Sequence, residues 1–232
     1  MTTADLPHNP YSDSNGQVVA VLGGTGAQGR GLASRLALAG VRVVIGSRHA
    51  GRAADAAETI RNSGRNLPIT GAANAAAAGA AEVVIVAVPW AGHRLLLEEL
   101  APVLAGKVVV DCVNPLGFDT HGPYALQVEE GSAAEQAAAV LPGSPVVGAF
   151  HHVSAALLLA PDVPLIETDV LVVGDDRAAV DLVIALTGRI PGMRGVYAGR
   201  LRNAGQVEAM TANLIAINRR YRSHAGLRVT GL

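Results

Sequence analysis

Val18-Val19-Ala20-Val21-Leu22-Gly23-Gly24-Thr25-Gly26-Ala27-Gln28-Gly29 is an apolar, β-branched run that breaks into a G-x-G-x-x-G turn at the head of a helical sequence. Strand, glycine turn and helix in that order make a pyrophosphate cradle. The glycines let the backbone approach the phosphates, and the helix N-terminus offers free N–H groups and a partial positive charge. A P-loop would need Lys and then Ser or Thr after the last glycine; this chain has Arg30 and Gly31. What remains is a dinucleotide site or a turn kept for close helix packing.

On either side of this turn the chain alternates. Apolar strand-like runs at 17–22, 41–46, 82–88 and 107–113 are separated by helical patterns at 29–39, 51–62, 72–78 and 91–104. The alternation predicts an α/β fold, a Rossmann-type doubly wound parallel sheet. Residues 114–131, with Pro115, Gly117, Gly122 and Pro123, read as an irregular connection. A helix at 132–141, strands at 145–150 and 170–173, and helices at 176–187 and 199–221 follow. We therefore expect a flexible leader (1–16), a dinucleotide-binding domain (17–149) and a small C-terminal α/β domain (150–232) closing one side of a cleft.

The 232 residues are 50% hydrophobic but only 3% aromatic, so the core must be packed from Ala, Val, Leu and Ile. A net charge of −1 gives no electrostatic footprint for nucleic acid or an anionic membrane, and the Ala-rich tract 75–92 is interrupted by Glu82 and Pro89. The expected partners are small molecules. A single cysteine, Cys112, fits a core position in a reducing cytoplasm, and no Cys and His fall at metal-ligand spacing.

The end of the second strand reads Gly46-Ser47-Arg48, with Arg52 one helical turn on. An NAD site usually places an acid there to accept the ribose hydroxyls. A hydroxyl and a guanidinium instead suit the 2′-phosphate of NADP, although a solvated basic helix start is the plain alternative. Val88-Pro89-Trp90 and Asn114-Pro115 end later strands on the same ligand-bearing edge. Trp90 reads equally as cleft wall or as helix-start packing.

Together with the His151 loop, Gly174-Asp175-Asp176 and the run from Ala198-Gly199 through Asn203-Ala204, Val207-Glu208 and Thr211 to Leu214-Ile215, these motifs resemble the F420-dependent NADP reductases. That family passes hydride between NADP(H) and coenzyme F420, a 5-deazaflavin. The resemblance implies that Gly24, Thr25, Gly26, Ala27, Gln28 and Gly29 meet the pyrophosphate, and that Ser47, Arg48 and Arg52 bind the 2′-phosphate. It implies that Val88, Pro89, Trp90, Asn114 and Ala155 border the ribose and nicotinamide. His151 and Val153 would lie where the two rings stack, with His151 as a positioning group that can also stabilise charge, and Thr211 would approach the deazaflavin.

His152 and Ser154 depart from the family pattern. Arg219, Arg220, Arg222 and Arg228 would either meet the coenzyme's anionic tail or balance a helix C-terminus. A homodimer is expected, because a small second domain with apolar helix faces needs cover. The rival readings are an NADPH-dependent reductase of a ferric chelate, flavin, imine or carbonyl, and a non-catalytic NADP-sensing module.

Overall fold

The computed structural model describes residues 17–63 and 66–232; the expected leader, 1–16, lies outside the described residues. The first half is built by strict alternation: β1 (Val18–Leu22), α1 (Ala27–Leu38), β2 (Arg42–Ser47), α2 (Ala50–Arg61), β3 (Ile69–Ala73), α3 (Asn74–Gly79), β4 (Val83–Val86), α4 (His93–Leu104) and β5 (Val108–Asp111). A hairpin, β6 (Leu116–Asp119) and β7 (Gly122–Ala125), follows. The second half comprises α5 (Ala133–Val140), β8 (Val146–Gly148), α6 (Ala155–Leu159), β9 (Thr168–Gly174), α7 (Arg177–Thr187), β10 (Met193–Tyr197) and α8 (Ala204–Tyr221).

Eight strands form one sheet in the order β10-β9-β8-β5-β4-β1-β2-β3. All neighbours are parallel except β8 and β9. The Rossmann-type reading therefore holds. Strands β1, β4 and β5 are buried along almost their whole length, as central strands covered on both faces must be. Small residues let the helices sit close: Ala53 and Ala57 of α2 and Ala133, Ala134 and Ala137 of α5 are fully buried. Phe150 is the one aromatic among the largest fully buried side chains.

Several elements differ from expectation. The helix expected at 72–78 is split, because Ile69–Ala73 pairs with β2 as an edge strand and the helix starts only at Asn74. The Ala-rich composition hid that strand; pairing with β2 outweighs helix propensity. The connection expected to be irregular at 114–131 contains the β6–β7 hairpin, whose turn is fixed by the Asp119 carboxylate accepting from His121 N and Gly122 N at 2.7 and 3.1 Å. Strand β10 and the short α6 carried no clear period. The boundary expected at 149/150 falls between β8 and β9, neighbours in one sheet.

Among the described residues no helix is long and apolar enough to cross a membrane.

Candidate functional site

Because β1, β2, β4, β5 and β8 run parallel, their carboxyl ends share one edge, and the order of strands reverses between β1 and β4. Apart from the glycine turn, the predicted residues along that edge fall into two groups. The first surrounds a cavity of about 430 Å³ lined by Gln28, Val88, Pro89, Trp90, Asn114, His151, Val153, Ala155 and Thr211. The second, Ser47, Arg48 and Arg52, lies outside the cavity at the end of β2, beyond the glycine turn. At about 4.8 Å per strand, the ends of β5 and β2 are some 14 Å apart, with the turn between them.

The glycine turn is built by contact. Gly23 takes φ of 74°, Gly24 N donates to Gly46 O at 3.2 Å, and a Cβ on Gly24 would stand 2.8 Å from Ile45 Cγ2 and from Val21 O. A Cβ on Gly29 would stand 2.7 Å from Gly23 O. Gly26 caps α1 with no side chain, and the first turn holds no acid, so its N–H groups and dipole are available to an anion. Gln28 turns its side chain away from that turn, donating from Nε2 to Phe150 O at 3.2 Å. It thus ties the glycine turn to the His151 loop.

Ser47 is buried, its Oγ accepting from His49 N at 3.3 Å, whereas Arg48 and Arg52 are exposed. Neither arginine makes an ion pair among the described residues.

The cavity floor is a backbone turn under strain. Phe150 is fully buried with φ of 62°, a left-handed conformation that is rare for a bulky residue and clusters at functional sites. His151 follows. Its Nδ1 lies 3.2 Å from the Val113 carbonyl, which can only accept, so Nδ1 carries the proton and Nε2 offers a buried lone pair with no partner. Its carbonyl accepts from Asn114 Nδ2 at 2.7 Å and from Thr211 Oγ1 at 3.2 Å.

His152, next along, shows the opposite tautomer. Leu171 N donates to its Nε2 at 3.2 Å, leaving Nδ1–H buried and unpartnered beside the cavity. Burial pushes both rings down to about 4, with the neighbouring ring adding to the effect at His152, so both are neutral at ordinary pH. Cys112 also lines the cavity but is inert: its Sγ donates to Val86 O at 3.1 Å, and burial pushes the thiol far up.

Two supports were given no role by the sequence, although Glu208 lies within the motif quoted above. Arg35 of α1 is buried and donates to four carbonyls around α6: Leu158 at 2.9 Å, Leu157 at 2.8 Å, and Ala160 and Val163 at 2.7 Å each. It fastens the segment that begins at Ala155 to the helix behind the glycine turn. Glu208 of α8 accepts from Ala133 N and Ala134 N at 2.9 and 3.1 Å, docking α8 on the start of α5 one turn before Thr211. Burial pushes its carboxyl up to about 7, against those two N–H groups. Of the C-terminal arginines, Arg228 pairs with the buried Asp169 at 2.9 Å.

The sequence model described as NADP oxidoreductase, coenzyme F420-dependent, matches residues 18–115. The F420-dependent NADP reductase of Methanothermobacter marburgensis is 41% identical over 221 residues, covering 92% of this chain and 98% of that protein. This chain belongs to the F420-dependent NADP reductase family. The Methanocaldococcus jannaschii F420-dependent NADP reductase is 38% identical with the same coverage, 92% and 98%. A crystal structure from Arthrobacter sp. FB24, whose description proposes an F420-dependent NADP-reductase, superposes with a TM-score of 0.78 at 27% identity, covering 93% of this chain and all of that one.

Proposed function

We propose that this protein is an oxidoreductase transferring hydride reversibly between NADP(H) and coenzyme F420. The observation that carries the reading is one continuous ligand edge. An acid-free helix N-terminus stands between a Ser47-Arg48-Arg52 cluster and a cavity with two buried, unpartnered imidazole nitrogens. That edge fits a dinucleotide bearing a 2′-phosphate, with room for a second ring system beside it.

The two coenzymes supply the redox chemistry: one ring donates a hydride and the other accepts it, so the protein has to position them and exclude water. In this reading the N–H groups at Ala27 and Gln28 hold the pyrophosphate, with Gly24, Thr25, Gly26 and Gly29 shaping the turn, in which Gly26 N donates to Gly23 O at 2.9 Å. Ser47, Arg48 and Arg52 take the 2′-phosphate. Val88, Pro89, Trp90, Asn114 and Ala155 wall the ribose and nicotinamide. His151, Val153 and Thr211 border the place where the rings meet. His151 acts by position and hydrogen bonding; a neutral ring with Nδ1 donating to Val113 O cannot supply a positive charge. Residues 17–149 provide the NADP half, and 150–232 close the deazaflavin side through the His151 loop and α8.

We also propose a homodimer. Phe118 and Tyr124 of the hairpin and Ile217 and Tyr221 of α8 are exposed large apolar groups on two elements packed together. Sedimentation at micromolar concentration checks it. A cytoplasmic setting is proposed from the single, reduced Cys112.

The functional test mixes purified protein with NADPH and coenzyme F420. Loss of the deazaflavin's visible absorbance, with matching NADPH oxidation, supports the reading. Tight NADPH binding without any loss would assign the chain to NADP sensing instead.

A further inference from the structure

Behind the cleft wall, His93 at the start of α4 is fully buried with both ring nitrogens engaged. Nε2 lies 2.6 Å from Asp111 Oδ2, and Nδ1 lies 3.0 Å from Gln136 Oε1. The amide of Gln136 cannot be turned over. Its Nε2 donates at 3.1 Å to Glu130, whose carboxylate also pairs with Arg94 and has only acceptors to offer. Gln136 Oε1 is therefore an acceptor, so Nδ1 has to carry a proton, and Nε2 shares the other proton with a carboxylate 2.6 Å away.

Asp111 in turn accepts from Val113 N through Oδ1 at 3.0 Å, which fixes the orientation of its carboxyl group against the His93 ring. The His93 ring also faces Trp90, with centroids 5.5 Å apart. From this pair, contacts run outward to the cleft: Val113 O holds the His151 ring, and Asn114 Nδ2 holds the His151 carbonyl.

We propose that His93 is a buried imidazolium, locked by Asp111 and Gln136, and that it positions the cleft wall through Trp90 and the carboxyl end of β5. An imidazolium against an indole face gains a cation–π attraction that a neutral ring does not. The charge balance agrees. Burial opposes the charge, but the hydrogen bond and charge of Asp111, the Gln136 hydrogen bond and the charge of Glu208 outweigh it, and the net shift is upward. Asp111 on β5, Glu208 on α8, Glu130 before α5 and Arg94 on α4 itself are the charged groups around this ring.

The direct test is nitrogen-15 spectroscopy of the imidazoles in the ligand-free native protein, which requires no variant to fold. Both His93 nitrogens should remain protonated at pH 8.5, when ordinary histidines have become neutral. A neutral His93 ring at that pH, with the shared proton on Asp111 or absent, overturns the assignment. Gln136→Leu removes the Nδ1 acceptor, together with the hydrogen bond to Glu130. It should let His93 lose that proton at a lower pH than in the native protein, and a titration unchanged from the native protein would refute the role of Gln136.

The positioning claim is read separately. Trp90 is the only tryptophan in the sequence, and protonated imidazole quenches indole, so His93→Gln should brighten its emission. If NADPH binds where proposed above, the same variant should raise the NADPH KM about tenfold while kcat stays within about threefold. If His93→Gln fails to fold, Gln136→Leu takes its place in both readouts once its ring has become neutral. Unchanged emission and unchanged KM in a folded variant would refute the positioning claim, whatever the fate of the hydride-transfer reading.

Discussion

Replacing Arg35 by Met keeps most of the aliphatic stem and removes every donor, which isolates the four hydrogen bonds that fasten α6 to α1. The acceptors are carbonyls of Leu157, Leu158, Ala160 and Val163, most of them at the C-terminal end of a five-residue helix that is too short to hold itself together. Hydrogen bonds to a charged donor are worth about 1.5 to 3 kcal/mol each. Four would give a gross value near 6 to 12 kcal/mol. Burying a guanidinium without an acid offsets several kcal/mol of that, and burial does disfavour the charged form here.

Removing one member of a buried, fully bonded charged set costs about 3 to 5 kcal/mol, and that is the loss expected for Arg35→Met. Urea unfolding at neutral pH, with the slope unchanged, measures it. Arg35→Lys, with three donors instead of a five-donor fork, should recover only part of the loss. A loss below about 1 kcal/mol would match an ordinary surface substitution and refute the claim that Arg35 anchors the cleft's far wall.

Four other outcomes follow from the same geometry. Ser47→Asp with Arg48→Ala replaces a hydroxyl and a cation by an acid, so NADPH binding should weaken by at least tenfold, with a relative gain for NADH in side-by-side titrations. Burial lowers the pKa of both His151 and His152 to about 4, so the unfolded chain binds their protons more readily. The stability they contribute is complete above about pH 6.5 and is lost as pH falls toward 4, by roughly 3 kcal/mol per ring. Glu208, raised to about 7, works in the opposite direction, losing stability as pH rises from its ordinary range; Glu208→Gln should therefore steepen the acid limb of a pH series of unfolding curves. Gly24→Ala, whose new Cβ would stand 2.8 Å from Val21 O and Ile45 Cγ2, should cost about 1 to 3 kcal/mol by the same assay and weaken NADPH binding as well.

What the sequence made legible was local. The glycine turn announces itself because backbone approach to a phosphate needs glycines at fixed offsets between a strand and a helix. The same holds for Ser47-Arg48, placed by the end of β2. What stayed hidden depends on partners distant in sequence. Arg35 looks like any basic residue near a helix C-terminus until α6, more than a hundred residues later, brings it four carbonyls. His93 and Asp111 read as a helix-start polar residue and a strand-end acid, and only the approach of α5 shows that the ring is enclosed by acceptors. His152 gives no periodic signal at all; its tautomer is set by Leu171 on β9, an antiparallel neighbour of β8 that local pattern could not place. Ala-rich segments blurred the sheet's β3 edge because alanine's helix propensity masks a strand fixed by pairing.

Direct transfer between the two rings is the central claim, and one single-turnover experiment addresses it. NADPH carrying deuterium at the transferable position of its nicotinamide is mixed with excess enzyme and coenzyme F420 in ordinary water, and the reduced deazaflavin is analysed by mass. Hydride passed inside a water-excluding cleft predicts that each reduced deazaflavin carries the label. Reduced deazaflavin without deuterium, or NADPH left unoxidised beside bound coenzyme, would contradict it.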